Sequence, residues 1–138
     1  MKTGKYNVGV GLLSMAAFMA YGFLLIWLRD FAPGKEEWIA SYAVGKHFEA
    51  RLAHVHGNLF SFLNVVLGFV LARVAGHDGA RTTAAVLGLV GLLMPAGILA
   101  EVYLGAPPVF VLIGAVSMTA AVATSGALAL RGWSAGTP

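Results

Sequence analysis

Three of the chain's four histidines, His47, His54 and His56, sit in one short polar stretch that runs directly into the apolar segment beginning at Leu59. Read as a helix, steps of three and four residues keep positions 47, 51, 54, 58 and 61 on one stripe. That stripe is His47, Arg51, His54, Asn58 and Ser61, polar at every position. A neutral imidazole can ligate a haem iron, and polar side chains beside it can orient a ligand or a substrate. His54 and His56 are two residues apart, so on a helix they point about 200° from each other. They cannot grip one metal ion as an i, i+4 pair does. His54 shares its face with His47, Asn58 and Ser61 and is the better candidate for an axial ligand. His56 would face a neighbouring subunit or the headgroups. The competing reading makes these histidines interfacial side chains bonded to headgroups or backbone.

Two more groups belong to this chemistry. Glu101 is the one acid inside an apolar run. A carboxylate there either reaches water, is protonated, or is paired, with Arg51 or a protonated histidine as partner. It is a candidate proton donor or acceptor, or a ligand orienter; the alternative is a charge at the rim. Tyr103, close by, is either an interfacial anchor or a hydrogen-bonding partner of a substrate. Asn64 lies deeper, on the face with Gly57 and Gly68, where a helix-contact hydrogen bond is expected.

Such residues need a scaffold, and the composition says which kind. Of the 138 residues 59% are hydrophobic and 11% charged, against about 25% charged in an ordinary soluble domain. The solvent for most of the chain must be lipid. Four long apolar runs predict an all-α integral membrane four-helix bundle, with spans at residues 8–28, 52–74, 82–104 and 109–130 in a single domain. Each is long enough for a hydrocarbon core of roughly 30 Å. The first run lacks a small-residue cleavage site and is expected to stay as a span. Pro95 should kink the third, because it removes a backbone donor. The connection around residues 29–51 is expected to turn at Pro33-Gly34 and to become helical from Glu36, running without a break into the second span. Cysteine is absent, which removes disulfides and thiolate ligands, and a net charge of +3 is too small to imply nucleic acid.

Basic residues set the orientation. Lys2, Lys5, Arg73, Arg81 and Arg131 fall at one end of the bundle, against Arg29, Lys35, Lys46 and Arg51 at the other, a nearly even tally that places both termini in the cytoplasm by a narrow margin. His47, His54, His56, Asn58, Glu101 and Tyr103 then converge near the opposite face. No repeat relates the two halves, which argues against an inverted-repeat transporter.

The run Leu52-Ala53-His54-Val55-His56-Gly57-Asn58, leading into Asn64-Val65-Val66-Leu67-Gly68, resembles the second span of the styrene oxide isomerase family. The similarity covers spans two and three loosely, about half the chain. The family's asparagine falls between Asn58 and Asn64 in register, and His56 has no counterpart. The resemblance implies a small four-helix membrane protein that binds haem b through His54, as a trimer with haem between subunits. It implies that ferric iron acts as a Lewis acid on the epoxide oxygen of a small apolar substrate arriving from the bilayer, giving an aldehyde. By position Tyr103 matches the family's substrate-positioning tyrosine. The same helix start is also similar to that of proteins related to haem-copper oxidase subunits. A haem-bearing electron-transfer or accessory subunit, and a cofactor-free membrane scaffold, therefore stand beside the isomerase. A bundle of this length has too little interior to enclose a haem alone, so a homo-oligomer in the bacterial inner membrane is expected.

Overall fold

The computed structural model describes residues 4–75 and 77–133. Six helices follow one another: α1 Lys5–Asp30, α2 Lys35–Ala40, α3 Lys46–Arg73, α4 Asp78–Gly91, α5 Leu93–Leu104 and α6 Val109–Arg131. Helices α4 and α5 together make one apolar rod, so the described residues include four helical rods long and apolar enough to cross a membrane. The protein is an all-α four-helix membrane bundle.

The third rod breaks where proline requires it. Pro95 cannot donate to the carbonyl one turn back, and the helix is interrupted at Leu92, three residues ahead of it. The break is small, because Leu92 N–H turns to the Leu89 carbonyl and Ala96 N–H to that of Leu92.

The first connection departs from expectation. It is helical over Lys35–Ala40, but the helix does not run on into the second span. Residues 41–45 turn the chain, and Gly45 adopts φ 86°, a left-handed value that suits glycine. Ser41 holds this turn together. Its Oγ donates to the Trp38 carbonyl and accepts from His47 N–H, while its own carbonyl accepts from Phe48 N–H. Helix α3 then starts at Lys46, ahead of the apolar run, and continues unbroken to Arg73, so Lys46, His47, Glu49 and Arg51 stand on its first turns.

Helix α3 is the centre of the bundle, packing against α1, α4, α5 and α6, whereas α1 lies mainly along α3. Leu67, Leu71, Ala84, Met118, Ala121 and Leu128 form the core toward the end that holds the chain's first helical residues. Ala53, Ile98 and Val102 form a smaller cluster toward the histidine end. Packing is close because the seams use small residues. A methyl group at Gly114 would collide with the Met94 backbone, and one at Gly11 would lie 2.7 Å from the Ser61 carbonyl oxygen. Large apolar side chains such as Leu13, Phe23, Leu112 and Val116 point outward, as lipid-facing residues do.

One polar network crosses this interior. Asn7 Nδ2 donates to Asn64 Oδ1 at 2.9 Å and to the Ala85 carbonyl at 2.8 Å. Asn64 Nδ2 donates to the carbonyls of Gly88, at 2.8 Å, and Phe60, at 3.0 Å. Both asparagines are buried. Asn64 is thus the helix-contact residue its position suggests, joining α3 to α1 and α4.

Candidate functional site

The polar stripe of α3 opens onto a groove of about 650 Å³ between α1 and α3. His47, Arg51, His54 and Asn58 line one wall; Met19, Gly22, Phe23, Leu25, Ile26 and Arg29 line the other, with Tyr42 near the mouth. Its size lies in the usual range for small-molecule and cofactor sites. Polar groups cluster at the mouth, and the wall from α1 is mostly apolar.

His54 is seated by α1. Its Nδ1 lies 2.8 Å from the Phe18 carbonyl oxygen. A carbonyl only accepts, so Nδ1 carries the proton and the ring's lone pair sits on Nε2. The approach of Asn58 Nδ2 to the same Nδ1, at 3.4 Å, is then a packing contact, and that amide donates instead to the His54 carbonyl at 2.9 Å. Gly22 makes the seat possible: a methyl group there would lie 2.6 Å from His54 Cε1. No described residue is bonded to Nε2.

The mouth is built from the connection. His47 is buried, stacked on Trp38 with ring centres 4.7 Å apart, and its Nδ1 donates to the Trp38 carbonyl at 2.9 Å. Tyr42 meets the same imidazole edge-on at 5.2 Å. The Arg51 guanidinium sits 3.8 Å above the Tyr42 ring, a cation–π contact. Arg29 pairs with its neighbour Asp30 at 2.7 Å. The Trp38 indole nitrogen is buried without a partner among the described residues.

The other residues singled out in the sequence fall elsewhere. His56 is on the opposite face of α3, donating from Nδ1 to the Leu52 carbonyl at 2.9 Å, its ring edge-on to Phe60. Ser61 is buried at the α1 seam, its hydroxyl without a partner among the described residues, and does not line the groove. Glu101 is exposed near the end of α5 and is not a wall of the groove. Tyr103 is half exposed, and its hydroxyl lies 2.9 Å from that of Tyr21. Tyr21 in turn has its ring centre 6.4 Å from that of His54. Tyr21 and Gly22 therefore matter more than their sequence suggests; their signal is the α1 face on which Phe18, Tyr21, Gly22, Leu25 and Arg29 follow at three- and four-residue steps.

Among the described residues, no group of three or more His, Asp or Glu side chains forms a metal cage. A haem iron needs only one protein ligand. The fold and the groove define an integral membrane four-helix protein with a histidine presented from its central helix. Comparison with known proteins finds no matching family model, no curated protein and no solved structure that matches.

Proposed function

We propose that this chain is a haem b protein of the bacterial inner membrane, with both termini in the cytoplasm, that isomerises a small apolar epoxide to an aldehyde. The observation that carries the reading is the state of His54: Nδ1–H is spent on the Phe18 carbonyl, and Nε2 is left as a ligand in a groove. A backbone carbonyl on the far nitrogen is the usual way in which a ligating imidazole is oriented and made more basic. The volume of the groove and its apolar wall of Met19, Phe23 and Ile26, beside a ring seated over Gly22, fit a largely apolar group. His54 would hold the haem, and the ferric iron would supply a Lewis acid for an epoxide oxygen.

The chain's own residues do the rest. Asn58 spends one N–H on the His54 carbonyl and keeps its other amide atoms at the groove wall to orient a bound molecule. Tyr103 is the substrate-positioning hydroxyl, held by Tyr21. It lies outside the groove of its own chain. The reading therefore assigns its substrate contact to an adjacent copy in a homo-oligomer, a trimer by the resemblance described above. The open side of the groove supports such an assembly.

Six-coordinate electron-transfer ligation is less well supported. His47 and His54 lie on one stripe of one helix, so they approach any ion from the same side and cannot form a trans pair. The absorption spectrum of the purified protein tests the reading. A five-coordinate ferric Soret band that shifts on adding an epoxide is the expected result. A low-spin six-coordinate spectrum would instead favour the electron-transfer subunit, and the absence of any Soret band would leave the cofactor-free scaffold.

A further inference from the structure

We infer that Arg51 is a carboxylate clamp, fixing the acidic edge of the cofactor at the mouth of the groove; this rests on the haem reading above. Arg51 stands three residues before His54 on the same stripe, about 4.5 Å further out along the helix axis. Its guanidinium is held in place before any ligand arrives. Tyr42 lies under it at 3.8 Å, His47 fixes Tyr42 edge-on at 5.2 Å, and His47 is itself stacked on Trp38 and bonded to the Trp38 carbonyl.

The clamp is built but has no acceptor. Arg51 is half-buried, and among the described residues no carboxylate or carbonyl accepts from it. Arg29, the other guanidinium at the groove, is already neutralised by Asp30 at 2.7 Å. Arg51 lines the groove with a planar fork of N–H donors for which the described residues offer no acceptor, and that fork matches a carboxylate. A molecule whose centre is ligated at His54 and whose acidic side chains reach outward meets this geometry, and the two propionates of haem b are such groups. A lipid phosphate shares the chemistry and is the rival source of the anion.

The two sources separate on esterification. Full-length protein stripped of cofactor, in phosphatidylcholine nanodiscs, is titrated with haem b and with its dimethyl ester, following the Soret band. Wild type should bind haem b roughly ten-fold or more tighter than the ester, the worth of a charged hydrogen-bonded pair. Arg51→Gln should bring haem b down to the ester's affinity and leave the ester unchanged, and Arg51→Lys should recover part of the difference. Equal binding of both porphyrins by wild type would overturn the clamp and leave the haem reading standing. Repeated in nanodiscs with added phosphatidylglycerol, an Arg51→Gln effect that follows the anionic lipid content and ignores esterification would assign Arg51 to headgroups and also overturn it. Binding of neither porphyrin would overturn the haem reading itself. Should Arg51→Gln not fold, the wild-type ratio of the two porphyrins decides.

Discussion

His54 Nδ1 and the carbonyl oxygen of Phe18 are 2.8 Å apart, and this one bond links the histidine of the central helix to the backbone of the outer one. It determines which ring nitrogen is protonated, and therefore which one can ligate. It also makes the site depend on how α1 sits on α3.

The two neighbouring histidines should behave differently. His54→Ala should abolish the Soret band or severely weaken haem retention. His56→Ala, altering a ring on the other face bonded to the Leu52 carbonyl, should keep haem and change its spectrum little. Absorption spectra of the two purified variants check this, and the reverse pattern would move the ligand to His56.

Gly22→Ala probes the seat and not the ligand. The added methyl would fall 2.6 Å from His54 Cε1, and an imidazole swings more readily than a helix backbone. The ring should leave the Phe18 carbonyl, and haem affinity should drop by about 10–100-fold, the usual effect of losing an outer partner. The helix content by circular dichroism should be unchanged. Unaltered affinity would show that the Phe18 bond does not prepare the ligand.

Tyr103→Phe should lower turnover of an epoxide while leaving the haem spectrum nearly unchanged. Tyr21→Phe should lower it less, since it frees the Tyr103 hydroxyl without removing it. Oligomers assembled from His54→Ala and Tyr103→Phe chains should regain part of the lost activity, because some sites then pair an intact histidine with an intact tyrosine from the next copy. No recovery in mixed oligomers would place both groups at one chain's site.

The buried asparagines should couple energetically. Asn64→Ala removes the acceptor of Asn7 and leaves the Gly88 carbonyl unpaired; it should cost about 1–2 kcal/mol, within the range for buried hydrogen bonds in and out of membranes. Asn7→Ala should cost a similar amount, and the double variant less than the sum, because the two share a bond. Unfolding midpoints in detergent measure this, and strict additivity would show that the shared bond contributes nothing.

Much of the architecture was legible in the residues alone. Four uncharged or nearly uncharged runs specify four spans because no other solvent accommodates them, and Pro95 specifies a break because it has no N–H to give. The stripe His47, Arg51, His54 and Asn58 was legible for the same kind of reason: helical periodicity is a property of one segment, and the structure keeps all four on one groove wall. Element ends were less so. The apolar part of the second span reads as residues 52–74, and the helix expected ahead of it is present but starts at Lys46 and not at Glu36. The turn at residues 41–45 was missed, since it depends on Ser41 collecting bonds from His47 and Phe48.

What the sequence by itself determined is which residues share a face, because that follows from 3.6 residues per turn. What it left open is which face meets which neighbour. That His54 lands on the Phe18 carbonyl, that Tyr103 reaches Tyr21 rather than the groove, and that Ser61 is sealed in the α1 seam are all decided by the rotation and register of α1 against α3 and α5. Those quantities come from close packing at Gly11, Gly22 and Gly57. No helix carries them in its own periodicity, and only the tertiary structure decides them.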